Sequence, residues 1–446
     1  MPAPPGSPEG GPVAQTQVSP RSALLIGVIL TLLLLGLGTR SAGILVLILP
    51  PAIYLAAGLL FGPDTLRLET TRTIGRDYAA PDEPITVSVT VTNRGSRLEA
   101  VVLEDGVAPP ATRIDGESRV LAALEPGKSI EIAYTLRAGR GCYRFRGVQA
   151  TASDTLGVFQ RGALAPAPGQ FFVLPNVLRL RRVAIRPSRT RVYAGDVPAR
   201  QGGPGIDFFG VREYQSGDPL HWINWKATAR AWEAIFTNEF EQERIADVGL
   251  ILDVRRRAYS GLNGHPIFEH AVLAAAALAE AFLKAGNRVG VLLYGTLLDW
   301  TFPGYGKRQR RRVLHALARA APGDSMVFDR LEYIPTRLFP PQSQLVVISP
   351  LLEDDVEPLI ALRAHNYSLM VISPDPIPVE LEALGGRPSA ALAARLARIE
   401  RALVIRKLRQ AGARVLDWNV GVPFEEAVYA AFGRAPPQAR PVRTWL

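Results

Sequence analysis

Residues 208–230, FFGVREYQSGDPLHWINWKATAR, interleave acids and bases with large aromatics. Arg212, Glu213, Asp218, Lys226 and Arg230 alternate there with Tyr214, Trp222 and Trp225. Two chemistries suit these residue types. In the first, Glu213 or Asp218 is an acid or base and Arg212 and Arg230 clamp an anion. In the second, the charges form a partly buried network that locks two parts of the fold together, each charge needing a partner to offset its desolvation. The second is favoured. No nucleophile–base pair accompanies the carboxylates, and His221 is the only histidine beside them. Gly217-Asp218-Pro219 predicts a turn, because glycine tolerates positive φ and proline disfavours a helical residue before it.

The order Arg212-Glu213-Tyr214, Gly217-Asp218-Pro219, Ile223-Asn224-Trp225-Lys226 and Ala229-Arg230 resembles the signature of the bacterial "domain of unknown function 58" family. His221 stands where that family carries arginine, and the resemblance extends more weakly over roughly residues 20–435. The family has no established biochemical activity. The resemblance implies a membrane-anchored protein with a von Willebrand factor A-like domain, and a MoxR-type AAA+ ATPase as its partner.

A second candidate site follows the run DVGLILD, which ends at Asp253. In metal-binding domains of the type the resemblance implies, that strand ends in Asp-x-Ser-x-Ser and places oxygen ligands around Mg²⁺, as a hard cation requires. Here Arg255 and Arg257 take the hydroxyl positions, and Ser349 stands where a further aspartate is expected. Guanidiniums cannot ligate a cation and would repel one. Asp253 is expected to pair with an arginine, Asp354 and Asp355 to open a helix, and the sheet edge around Asp253, Arg255, Arg257 and Ser349 to receive a partner protein's carboxylate. No metal and no cofactor is expected.

These residues need a scaffold. With 446 residues and one cysteine, Cys142, the chain is long enough for several domains and has no intrachain disulfide. Its net charge of +10 is carried almost entirely by arginine. No basic–aromatic reader of nucleic acid accompanies it, even at the run Lys307–Arg312, so nucleic acid is not an expected partner. Gly202, Gly203 and Gly205 do not sit between a clear strand and a helix, and at Gly306-Lys307 Thr301 stands where a P-loop's first glycine would be and Arg308 where its Ser or Thr would be, so no nucleotide site is expected.

The expected organisation is multidomain. Residues 1–20, rich in Pro, Gly and Ser, predict a disordered tail. Within 21–61, the apolar runs 22–38 and 42–61 predict two transmembrane helices forming a hairpin around Arg40, the second kinked at Pro50 and Pro51. Arg21 before the hairpin and Arg67, Arg72 and Arg76 after it favour a cytoplasmic location for both ends at the inner membrane. Residues 62–175 alternate with period two, as in Ile85, Val87, Val89 and Val91, and predict an all-β immunoglobulin-like sandwich. Residues 154–159, DTLGVF, read there as turn chemistry. Residues 176–245 are the linker and signature segment. Residues 246–446 alternate short apolar strands with helices and predict a doubly wound α/β domain of von Willebrand factor A-like type. The expected function is a non-enzymatic membrane-anchored scaffold or adaptor. An acid/base enzyme and an envelope-facing binding module are the alternatives.

Overall fold

The computed structural model describes residues 15–18, 20–60, 66–106, 111–153, 159–180, 183–185, 191–231, 234–259, 261, 264–295, 299–325, 328–385 and 387–433. The chain divides into two compact units, Met1–Leu174 and Pro175–Leu446. Of the expected tail, residues 15–18 are not irregular. They form strand β1 (Gln15–Val18), which pairs antiparallel with Phe159–Gly162. Three polar residues and a valine are enough to add an edge strand once a partner edge exists, which composition alone does not register.

Helix α1 (Pro20–Thr39) is followed by α2 (Ala42–Val46) and α3 (Leu49–Leu60). The chain reverses at Arg40, whose φ is +51°, with Ser41 N donating to Gly36 O at 3.1 Å. The second apolar run is thus two helices, not one kinked span. Pro50 and Pro51 have no N–H to continue the ladder of α2, so the chain turns at Leu47–Ile48 and restarts with both prolines in the first turn of α3, where their missing donors cost least. Among the described residues two helices are long and apolar enough to cross a membrane, Ser22–Thr39 and Pro266–Lys284. The first is 11% buried and the second 67%, as suits a core helix of the second unit.

Among the described residues the β region of the first unit has nine further strands. They are β2 (Leu68–Ile74), β3 (Tyr78–Ala79), β4 (Ile85–Asn93), β5 (Leu98–Asp105), β6 (Thr112–Gly116), β7 (Arg119–Leu124), β8 (Ser129–Arg137), β9 (Gly141–Ser153) and β10 (Phe159–Val173). One sheet runs β2-β4-β8-β6 and the other β1-β10-β9-β5-β7, with β3 beside β10. Both sheets supply one core. Val87, Val89 and Val91 meet Ile132, Tyr134 and Leu136 from the first sheet, and Val101, Leu103, Val148 and Phe171 from the second. Arg72 on β2 also reaches Asp105 at the end of β5 with two bonds of 2.6 and 2.7 Å, so a buried ion pair joins the sheets. The segment 154–158 lies outside the described residues.

In the second unit, the expected linker holds a two-stranded antiparallel ribbon, β11 (Arg191–Glu213) with β12 (Phe236–Ile245). Its many glycines and prolines mask it in the sequence and show as irregular register. The α/β domain follows with strands β13 (Asp247–Asp253), β14 (Arg288–Tyr294), β15 (Asp299–Gly304), β16 (Gln344–Ile348), β17 (Ser368–Asp375) and β18 (Arg414–Asn419). The sheet order is β15-β14-β13-β16-β17-β18, parallel except for β15. Five helices cover it: α5 (Gly264–Lys284), α6 (Gly306–Arg319), α7 (Val356–Ala364), α9 (Pro388–Gln410) and α10 (Phe424–Phe432), α4 and α8 being the short Trp225–Thr228 and Ile377–Ala383. The continuous apolar strands are buried on both faces, as parallel strands under helices must be. The edge strand β15 is only partly buried and carries polar residues, which hides it from an apolar-run search. The order reverses between β13 and β16, and in open α/β sheets ligands bind at that crevice, outside the carboxyl ends of the strands.

Candidate functional site: a filled crevice and an exposed signature turn

Asp253 ends β13 and Ser349 follows β16, so both stand at the crevice where the strand order reverses. Neither is free. Arg255 turns back over the strand end, donating from Nε to Asp253 Oδ1 at 2.9 Å and from Nη2 to Asp253 Oδ2 at 2.8 Å. The same Nη2 donates to Asp355 Oδ2 at 2.9 Å, and Nη1 donates to Asp329 O at 3.0 Å. Ser349 Oγ donates to Asp253 Oδ2 at 2.7 Å, and Tyr259 Oη donates to Asp253 O at 3.0 Å. The side chains of Asp253, Arg255 and Asp355 are each 1% exposed or less. The guanidinium therefore sits between two carboxylates and brings five donors in a fixed plane.

The local chain makes this possible. Gly295, after β14, has φ +154°, and a Cβ there would lie 2.5 Å from Arg255 N, so only glycine admits the close backbone approach behind Arg255. Leu351 takes φ +66°, and Leu351 N donates to Ser349 Oγ at 3.1 Å, curling the segment after β16 inward. Leu352 N then donates to Asp355 Oδ2 at 2.9 Å.

Three expectations are corrected here. Arg255 does not offer its fork to a partner, because its own carboxylates occupy it. Asp253 and Ser349 are buried and present no docking edge. Asp355 precedes helix α7 as the sequence suggested, but its carboxylate reaches back to Arg255 instead of only facing the helix dipole. Arg257 differs. One-third exposed, it donates to Asp354 Oδ2 at 2.6 Å and lies 3.4 Å from Asp329. Among the described residues no group of His, Cys, Asp and Glu side chains is arranged to hold a metal ion.

Burial holds the Asp355 carboxyl above the usual carboxylate range, against the pull of Arg255. Burial alone would lower the Arg255 pKa, but its bonds to Asp253 and Asp355 outweigh this and hold it above the ordinary arginine value. Asp355 Oδ1 is buried with no hydrogen-bond partner, so it is the natural place for a proton that relieves the cluster's excess negative charge. A carboxyl whose folded pKa is raised binds protons better folded than unfolded. Its contribution is full below the unfolded value of about 3.9 and is lost as pH rises through the folded value. Asp355→Asn is expected to remove that loss, so its unfolding midpoint should change less with pH across this window than that of the parent chain. Parallel pH profiles for the two proteins would refute the assignment.

The signature segment lies at the other end of the ribbon. Arg212 and Glu213 close β11, Phe236 opens β12, and residues 214–231 and 234–235 belong to the connection. Arg212 grips Asp218 with two bonds of 2.8 and 2.7 Å, and its Nε lies 3.7 Å from Glu239 on β12. Asp218 Oδ2 also accepts from Gln215 N at 2.9 Å, across a turn in which Gly217 has φ +110°. These bonds hold the Asp218 carboxyl below the usual carboxylate range, Arg212 first and Gln215 N second. Tyr214 Oη reaches Asp218 O at 3.4 Å. Asn224 caps α4 by accepting from Ala227 N at 3.0 Å, and donates to Asn238 Oδ1 at 2.8 Å. Ile223 bridges Thr237, and Asn224 N donates to Phe236 O at 2.8 Å, so the connection folds back onto the ribbon.

The network is therefore smaller than expected and has different members. The side chains of Glu213, Lys226 and Arg230 are exposed and outside it, the Glu213 carbonyl alone accepting from Arg212 Nη1 at 3.0 Å, and Trp225 is 70% exposed. Glu213 points outward because residue 212 takes the inward strand position beside Asp218. Glu239 and Asn238 were missed, since nothing in one sequence reports which β12 residues lie opposite β11. The exposed Val211, Leu220, Trp225 and Ile235 are all on this segment.

Strand order and crevice define a doubly wound α/β domain preceded in the chain by a β-sheet unit. Residues 210–386 match the family described as "Protein of unknown function DUF58". That stretch contains both the signature turn and the filled crevice. An uncharacterised protein of Bacillus subtilis, YeaD, is 27% identical over 169 residues, which are 38% of this chain and 40% of that protein's length. Among solved structures, the CARDB domain of a Pyrococcus furiosus protein is 14% identical, covering 24% of this chain and 89% of its own, with a TM-score of 0.18. A FixG-related protein from Vibrio parahaemolyticus is 13% identical, covering 23% of this chain and 95% of its own, with a TM-score of 0.16.

Proposed function

We propose that this chain is a non-enzymatic adaptor, anchored in the inner membrane through its N-terminal apolar helices, with its large folded part in the cytoplasm. The observation that carries the reading is the filled crevice. The default ligand place of an open α/β sheet is occupied from within by Arg255, so the domain is built to hold its shape there and to present surface elsewhere. In this reading the domain is von Willebrand factor A-like with a guanidinium in the place of the cation, and the β unit is an immunoglobulin-like sandwich near the membrane. The exposed Leu220, Trp225, Lys226 and Arg230 of the signature segment are the surface offered to a partner, an aromatic and aliphatic patch with cations at its rim. The partner proposed is a MoxR-type AAA+ ATPase, an identity that rests on the family resemblance alone.

The test is co-purification of the full chain, from detergent-solubilised membranes, with the candidate ATPase in each nucleotide state. Binding is expected to resist EDTA once nucleotide-bound Mg²⁺ is controlled for, and Trp225→Asp is expected to weaken it at least tenfold with the fold intact. No complex in any nucleotide state would sink the adaptor. A complex unaffected by Trp225→Asp and Leu220→Asp would keep the partner and move the surface.

A further inference from the structure

Helix α9 (Pro388–Gln410) has two faces with different fates. Ala390, Ala394, Ile405 and Leu408 are buried against the α/β domain. Arg401, on the same side, donates to Asp417 Oδ1, Ser373 O and Pro350 O at 2.7–2.9 Å. The opposite side carries Leu392, Leu396, Ile399 and Leu403, which are 69%, 58%, 60% and 41% exposed. Four large aliphatics in water along one line of a helix ask for a cover.

Their spacing says what kind. The steps of four, three and four residues are a d-a-d-a heptad seam. At 3.6 residues per turn the four side chains fall within about 60° of arc, narrower than the 100° or more of a helix face that lies on a core. A helix lying in a lipid interface needs a broad apolar face. A narrow seam is what another helix fills, knob into hole. The flanking positions are self-complementary. Arg395 stands at g and Glu400 at e, and in a parallel pair g faces the partner's e five residues on, so Arg395 of each copy would meet Glu400 of the other. Ala393 and Ala402 at the remaining e and g positions let two helices approach closely.

We propose that α9 is the dimerisation helix of this protein, pairing in parallel with α9 of a second copy through residues 392–403. In free coiled coils, leucine at a with isoleucine at d favours more than two strands. Here the far side of α9 belongs to its own domain, so each helix has one open seam and the pair is closed. The helix is already held folded by that domain, so pairing does not have to meet the cost of nucleating it. The proposal does not depend on the adaptor reading.

The experiment uses the full chain with Cys142→Ser, which leaves no native thiol. Leu396→Cys and Ile399→Cys lie on the seam, where a parallel pair brings the two Cα atoms within the about 7 Å that a disulfide spans. Arg398→Cys lies off it, also at an exposed position, and controls for collision and folding. Under mild oxidation in membranes, both seam variants are expected to cross-link several-fold more than the control. Arg395→Glu or Glu400→Arg, each added to Leu396→Cys, should lower the cross-linked fraction several-fold, and both together should restore it. Equal cross-linking on and off the seam, or no rescue by the double exchange, overturns the parallel pair. Quenching of a probe on the Leu396→Cys thiol by spin-labelled anionic lipid, without cross-linking, would show that the stripe lies on the membrane and would likewise overturn it.

Discussion

Arg255→Met is expected to destabilise the α/β domain by about 3–5 kcal/mol, the usual cost of removing one partner from a buried ion pair. The side chain is 1% exposed and divides its donors among Asp253, Asp355 and Asp329 O. Methionine fills much of the same volume, so little of the loss comes from a cavity. The loss comes from leaving two carboxylates facing each other in a dry site with no counter-charge, which favours binding a proton. The penalty should therefore shrink in acid and grow as pH rises. Adding Asp253→Asn and Asp355→Asn should recover most of the stability, since removing all the charges of such a cluster together is often nearly neutral. Denaturant midpoints, with hydrogen exchange at the amides of β13 and β16 to localise the effect, measure both. A cost below about 1 kcal/mol, or one independent of pH, would mean that water reaches the cluster.

Asp105→Ala is expected to cost a similar amount, about 3–5 kcal/mol, in the β unit. Asp105 accepts both bonds from Arg72, whose side chain is 2% exposed, and a third from Tyr134 Oη at 2.5 Å. Burial, with Asp105 beside it, holds the Tyr134 hydroxyl well above its ordinary pKa. Alanine would strand a guanidinium and a hydroxyl between two sheets. Arg72 keeps only its Nε bond to Ala167 O at 2.9 Å and its place 4.2 Å over the Phe145 ring. Asp105→Asn preserves the shape and one acceptor, so it should cost clearly less. Hydrogen exchange at Val87, Val89 and Val91 reads the difference, because those amides lie in the sheet that Arg72 ties to Asp105. If alanine and asparagine prove equal and mild, the pair contributes register and little stability.

Both clusters show where legibility in the sequence stops. The alternation at Ile85, Val87, Val89 and Val91, and the apolar runs ending at Asp253 and Tyr294, are local patterns, because a strand's periodicity follows from its own burial. They were enough to place two fold classes along the chain in the right order. The turn at Gly217-Asp218-Pro219 was legible for the same reason, since its conformation depends on adjacent residues. So was the pairing of Asp253 with an arginine, two residues away in sequence.

The interruption of the second apolar run at Leu47–Ile48 was half legible. Prolines mark a break, but whether a helix bends or restarts depends on what the freed carbonyls meet. The ribbon of β11 and β12 was not legible at all, because glycine and proline obscure strands whose partner is another irregular strand.

Which charges are free was decided only by the tertiary structure. Arg255 and Arg257 are two residues apart and chemically alike, yet one is sealed in the crevice and the other lies at the surface. For Arg255 the deciding carboxylate is Asp355, 100 residues further along, and for Arg72 in the other unit it is Asp105, 33 residues further along. A lone sequence names the charges and their order. Their availability to a partner depends on whether a distant carboxylate is folded against them, because in a low-dielectric interior an arginine without such a carboxylate would not be buried.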